Sequence, residues 1–310
     1  TGGPVLILTP LAVAYQTAAE AAKFGIEAKV VESQSEVTGA GIYITNYEKL
    51  EHFTPSKFSG VVLDESSILK NFTGKTRIAL TEAWSKTLYR LCCTATPSPN
   101  DFVELGTSSE ALGYLGYTDM LTRFFTNNED TIKPQNIGTK WVLKGHAREN
   151  FFKWVSTWSI SMRKPSDLGF SDEKFILPKL ITNTHSVNND KPLVVDGQFQ
   201  LFNIVARSMK EMRSEGSLTF EKRCEKAVEV TQPYDTSVYW CNINKEGDLI
   251  AKLDKSAVQI TGSMDIDQKE EILEAFGNGE IKRLITKPTI TAFGLNWQHC
   301  HHTTYFPTYS

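Results

Sequence analysis

The stretch Gly60-Val61-Val62-Leu63-Asp64-Glu65 decides the fold. A short uncharged run ends abruptly in two carboxylates. Strands of a parallel sheet are buried on both faces, so they read as continuous apolar runs rather than as alternation. Ligands of such sheets bind beyond the carboxyl ends of the strands. The stretch therefore predicts a central parallel strand that presents an acidic pair at the ligand-binding edge. Acidic residues after a strand also favour a following helix start, so the chemistry has to be argued from the neighbours.

Working outward, residues 89–93 form the next apolar strand and run into Thr94-Ala95-Thr96-Pro97. Short hydroxyl side chains at a strand end can hydrogen-bond a carboxylate and a phosphate at once, and proline stops the strand. Upstream, 5–9 and 41–45 read as strands, 11–24 as an alanine-rich helix stopped by Gly25, and 76–84 as a helix. Short apolar strands alternating with helices predict an α/β fold with parallel sheets flanked by helices. Residues 126–180 are rich in Asn, Lys, Trp and Phe and show no clean period, and 199–230 returns to helical spacing. A second α/β series follows, with strands at 238–241, 257–260, 282–286 and 302–306 and helices at 249–253 and 268–276. The expected division is a first lobe over 1–125, an inter-lobe insert and helical linker over 126–235, and a second lobe over 236–310.

The 310 residues, 40% hydrophobic and 22% charged, fit about two globular domains. The longest apolar runs, such as Val5-Leu6-Ile7-Leu8, are too short to span a bilayer, and no basic-then-apolar secretory pattern opens the chain. Five cysteines without framework spacing point to a reducing compartment, and the expected location is the cytoplasm of a bacterial or phage-infected cell, or the nucleus in a eukaryote. A net charge of −3 gives no overall basic field, but a strand can still be held by a local groove of backbone amides and a few side chains.

The order of these pieces resembles a superfamily-two helicase, closest to the Swi/Snf-type ATPases and their compact phage and bacterial relatives. Asp64-Glu65-Ser66-Ser67 with Lys70-Asn71 is similar to that family's acidic motif, and Leu91 through Asn100 to its Thr-Ala-Thr-Pro motif. Leu8-Thr9-Pro10-Leu11 with Gln16, and Thr45-Asn46-Tyr47-Glu48, resemble its nucleic-acid contacts. Val238 to Asn242, Gln259 to Ser263, Leu284-Ile285-Thr286 and Phe293-Gly294-Leu295-Asn296 resemble the second-lobe motifs. Ser161-Met162-Arg163-Lys164 and Leu177-Pro178 resemble the link between lobes. The resemblance implies two RecA-like lobes, ATP and Mg²⁺ as nucleotide and metal, and nucleic acid, DNA more than RNA, as partner. It implies that Asp64 holds Mg²⁺, Glu65 orients the attacking water, and Thr94 and Thr96 couple hydrolysis to movement. Gly294 and Asn296 would approach the nucleotide. Pro10, Gln16, Thr45, Asn46, Thr261, Gly262 and Thr286 would line the strand path, mostly through phosphates.

The family's phosphate loop and its last arginine motif have no counterpart in these residues, so an internal fragment of a longer motor is expected. Gly74-Lys75-Thr76 mimics the end of a phosphate loop, but Leu69 stands where the first glycine belongs. His299-Cys300-His301-His302 lacks a second ligand pair at metal spacing. Trp141, Trp154 and Trp158 could stack on bases but read more naturally as core filler, and Lys222, Arg223 and Lys226 as solvated charges on a helix. Cys92 and Cys93 read as packing residues of a buried strand. The expected activity is that of an ATP-dependent DNA translocase. The alternatives are a catalytically incomplete helicase-fold binding or scaffold module, or the motor subunit of a nuclease or modification complex.

Overall fold

The computed structural model describes residues 2–10, 13–70, 74–128, 141–188, 194–195, 198–199, 216–291 and 294–306. The chain divides into two compact units, Thr1–Ile181 and Thr182–Ser310. Residues 126–235, set apart by their composition, are thus shared between the units at 181/182.

The first unit is built on a five-stranded sheet with the order β2-β3-β1-β4-β5, in which every pairing is parallel. The strands are β1 (Pro4–Thr9), β2 (Ala28–Val30), β3 (Gly41–Asn46), β4 (Gly60–Leu63) and β5 (Tyr89–Cys92). Helix α1 (Ala14–Lys23) crosses from β1 to β2, and α2 (Lys75–Ala83) from β4 to β5. The apolar runs do what their patterning dictates: Leu6, Leu8, Ile44, Val61 and Leu63 are buried, and most join Tyr47, Phe58, Leu69 and Trp84 in one core. Burial at this scale, at roughly 25 cal/mol per Å² of apolar surface, is the main favourable term holding the sheet to its helices. Strand β2 has no strong sequence signal, being three residues with a lysine at its centre. Strand β5 departs from the expectation of a buried strand. It lies at the sheet's edge, Tyr89 and Leu91 are more than half exposed, and of the two cysteines Cys92 packs on the core while Cys93 is half-buried.

After β5 come α3 (Leu105–Leu112), α4 (Tyr117–Phe124), an antiparallel pair β6 (Phe125–Asn127) with β7 (Trp141–Leu143), and α5 (Arg148–Val155). Gly113 ends α3 at φ +82, a left-handed conformation that glycine adopts without a side-chain penalty. These elements close around their own aromatic core of Phe124, Phe125 and Phe151, and Trp141, Trp154 and Trp158 pack against it. The tryptophans therefore serve packing.

The second unit begins with a short antiparallel pair, β8 (Val194–Val195) and β9 (Gln198–Phe199). Its sheet is again entirely parallel, with the order β11-β12-β10-β13. The strands are β10 (Ser237–Trp240), β11 (Ala257–Gln259), β12 (Arg283–Thr286) and β13 (His302–Tyr305). Helices Phe220–Thr231, Asn244–Leu253 and Ile266–Gly277 accompany it. Tyr239, Ile250, Ile285, Cys224 and Cys241 form its core. A buried ion pair pins β12: Arg283 meets Asp254 at 3.0 Å, and Asp254 also accepts from the Tyr239 hydroxyl at 2.9 Å and the Ser256 hydroxyl at 2.6 Å. Two parallel α/β sheets flanked by helices are the architecture expected of RecA-like lobes. No helix among the described residues is long and apolar enough to cross a membrane.

Candidate functional site

Strand register gathers the first unit's motifs on one sheet edge. Leu8 stands opposite both Thr45 and Leu63, and Leu63 opposite Cys92. The residues that follow β1, β3, β4 and β5 are therefore neighbours at the carboxyl edge, where parallel sheets bind ligands. Asp64 and Glu65 leave β4 there, both half-buried. The Asp64 N–H donates to the Leu8 carbonyl at 2.9 Å, and the Asp64 carbonyl accepts from the Tyr47 hydroxyl at 2.6 Å. Glu65 has φ +48 and is the one non-glycine residue with positive φ among the described residues. An L-residue in this region is strained by about 1–2 kcal/mol, and such strain collects at functional positions. Burial, then the neighbouring Asp64 charge, pushes the Glu65 carboxyl above its usual range. The buried Ser66 begins the next turn, with its N–H donating to the Cys93 carbonyl at 2.9 Å and tying the acidic loop to β5.

Thr94 is half-buried and Thr96 exposed, and the Thr94 hydroxyl accepts from the Thr96 N–H at 3.1 Å. That local turn places the two threonines beside the acidic loop on the neighbouring strand. Pro10 is half-buried and its carbonyl receives Val13 N–H at 3.2 Å, while Gln16 lies half-buried on α1. Thr45 and Asn46 are only 1% and 2% exposed. The Thr45 carbonyl accepts from Thr9 at 3.3 Å, and the Asn46 side chain caps the following 3₁₀ turn by accepting Lys49 N–H at 3.1 Å. Both side chains are turned inward.

In the second unit the same logic recurs. Thr286 ends β12, 1% exposed, its hydroxyl accepting from Thr291 at 3.1 Å. Thr261 and Gly262 follow β11, and the Gly262 carbonyl accepts from the Lys269 ammonium at 2.9 Å. Gly294 takes φ +72, which glycine alone adopts freely, and Asn296 is exposed beyond it. Phe293, Leu11 and Asn71 lie outside the described residues. Sequence reasoning held Tyr47 only as part of the Thr45-to-Glu48 motif, without its contact to Asp64, and passed over Lys269 and Glu246. Glu246 is 2% exposed, accepts the N–H groups of Asn242 and Ile243 at 2.8 and 3.1 Å, and meets Arg223 at 3.2 Å. Its signal was the four-residue step from Asn242 to a helix-start glutamate; the contacts of Tyr47 and Lys269 left none, because their partners are backbone carbonyls.

The donor set suits a cation that arrives with its ligand. Mg²⁺ is usually held by one or two carboxylates together with substrate phosphates, not by a protein cage. Asp64 and Glu65 supply two adjacent carboxylates, and among the described residues no cluster of three or more His, Cys, Asp or Glu could hold a metal unaided. His302 in particular lies flat on Tyr234, with ring centroids 3.7 Å apart. Gly74 follows the 3₁₀ turn Ser66–Lys70 and precedes α2, so it does not stand in a strand-to-helix phosphate loop.

No protein-family model matches the sequence, and no curated protein matches it. Among solved structures, the chain is similar to the SWI2/SNF2 ATPase core of Sulfolobus solfataricus in complex with dsDNA, at 18% identity over 97% of this chain and 70% of that one, with a TM-score of 0.43. It is similar to a variant of S. cerevisiae Dbp5 bound to RNA and ADP–BeF3, at 11% identity over 95% of this chain and 60% of that one, with a TM-score of 0.49. A Dbp5 variant bound to Gle1 and IP6 gives 11% identity, 99% and 61% coverage and a TM-score of 0.48. The chain thus spans about three fifths of the Dbp5 chains' own length. The likeness is one of fold alone, and the fold itself is two parallel α/β sheets flanked by helices, with polar motifs at their carboxyl edges.

Proposed function

We propose that this chain is the core of a nucleic-acid-dependent ATPase motor, a DNA translocase that couples ATP hydrolysis to movement. The observation that carries the reading is the acidic pair at the carboxyl edge of β4, with Glu65 held at φ +48 beside the threonine turn of β5. Asp64 would hold Mg²⁺, which, when bound, neutralises charge building on the phosphates. Glu65 takes up the attacking water's proton or orients that water. Its raised proton affinity brings it closer to the working range of a general base than an ordinary glutamate. Thr94 and Thr96 lie one strand away and are assigned to relaying the state of the phosphates. Gly294 and Asn296 are assigned to the nucleotide. Pro10, Gln16, Thr261 and Gly262 are assigned to phosphates of the strand, with the buried Thr45, Asn46 and Thr286 acting through backbone groups and through the loops they shape.

The test is Glu65→Gln in the intact protein. ATP hydrolysis stimulated by duplex DNA is expected to fall by about 10²-fold or more, with DNA binding kept. Hydrolysis at the wild-type rate in that variant would remove the proposal. Stimulation by RNA and not by DNA would replace the substrate and leave the site standing.

A further inference from the structure

Tyr47 lies at the junction of two motifs that the sequence sets 17 residues apart. It follows Thr45 and Asn46 at the end of β3 and is 7% exposed. The Asn46 cap on Lys49 N–H fixes the turn that starts at Tyr47. Strand β1 lies between β3 and β4, so the Tyr47 side chain spans the carboxyl end of β1 to reach Asp64. There its hydroxyl donates to the Asp64 carbonyl at 2.6 Å, while β1 holds the Asp64 N–H from the Leu8 carbonyl at 2.9 Å. The Asp64 carbonyl belongs to the peptide that joins Asp64 to Glu65. The rotation next to that peptide is the Glu65 φ of +48, the strained torsion that sets where the Glu65 carboxylate points. Asp64 is thus held on both sides, through its N–H on the preceding peptide and its carbonyl on the following one, and such anchoring is what a strained neighbour requires in order to persist.

On the reading given under Proposed function, we propose that Tyr47 is a positioning residue: its hydroxyl locks the Asp64–Glu65 peptide, aims Glu65 at the attacking water, and ties the end of β3 to the hydrolysis step. The hydroxyl is the donor in this bond, since a carbonyl oxygen can only accept.

Tyr47→Phe removes one oxygen and keeps the ring in the core. In the intact protein, kcat for DNA-stimulated ATP hydrolysis is expected to fall about tenfold, with KM for ATP changed by no more than about twofold. Amide hydrogen exchange, measured without nucleotide, is expected to quicken by about tenfold at residues 64–68 and to stay unchanged in β1 and β10. Wild-type kcat with wild-type exchange would overturn the link. Faster exchange spread evenly over the whole first unit would overturn it as well, since that marks a hydroxyl of general structural use. Tyr47→Leu, which empties part of the core, gives the pattern of that general loss for comparison. Glu65→Gln is assayed alongside: if it retains hydrolysis, the site itself is misread, whereas its loss beside an unaffected Tyr47→Phe defeats the tyrosine link alone.

Discussion

At the scale of single residues, Glu65 combines two unfavourable conditions, a left-handed backbone and a half-buried carboxylate beside another. Glu65→Gly would relieve both. Glycine loses more chain entropy on folding, which offsets part of the gain, so the net expectation is a stabilisation of about 0.5–1 kcal/mol with hydrolysis abolished. Urea unfolding of the first unit checks the sign, and a loss of stability would mean that φ +48 is not a strained state here. The acidic pair itself was legible in the sequence, because a charge pair directly after an apolar run is a local pattern. The Tyr47 contact was not, because it depends on β3 lying on the far side of β1 from β4. The inward turn of Thr45 and Asn46 was equally hidden, since polar side chains at a strand end give no sign of which way they face.

At the scale of elements, legibility followed the strength of the apolar run. Strands β1, β4 and β10 were readable because buried parallel strands need uninterrupted apolar residues. Strand β2 and helices α3 and α4 were not, being short and mixed in character and stabilised by what they pack against. In the second unit, β12 depends on Arg283, which meets Asp254 and also donates to the carbonyls of Gln232 and Tyr234 at 3.1 and 3.0 Å. Burial opposes the charge of Asp254, but hydrogen bonds from Ser256 and Tyr239 and the Arg283 charge outweigh it, leaving the carboxyl below its usual range. Its contribution to stability is therefore complete above the unfolded-state value near 3.9 and is lost as the pH falls through the lower folded value. Asp254→Asn strands the Arg283 charge and is expected to cost about 3 kcal/mol near neutral pH. Calorimetry at pH 7 and at pH 3 checks this, and the deficit should narrow at the lower pH.

At the scale of the whole molecule, the two lobes were legible as two α/β series, while their boundary was not, because residues 126–235 carry no period that marks where one core stops and the next begins. Each unit has its own apolar core, so the Asp254→Asn deficit should appear in one unfolding transition and leave the other in place. The first sheet's two outer strands are guarded very differently. Strand β2 is three residues long with an exposed lysine at its centre, the kind of charge that discourages further pairing. Strand β5 has no such guard: Tyr89 and Leu91, which share one face of the strand, are 52% and 54% exposed, Leu88 just before it is 75% exposed, and the one charge in the strand, Arg90, is engaged with the Ala111 carbonyl at 2.9 Å. In the purified chain this flank is one of the exposed apolar surfaces through which molecules can meet. Leu91→Lys is expected to raise the concentration at which light scattering first appears, with the circular dichroism spectrum unchanged; if scattering begins at the same concentration, self-association starts elsewhere on the surface. A later onset of scattering would mean that the strand beside the proposed hydrolysis site also sets the chain's solubility limit.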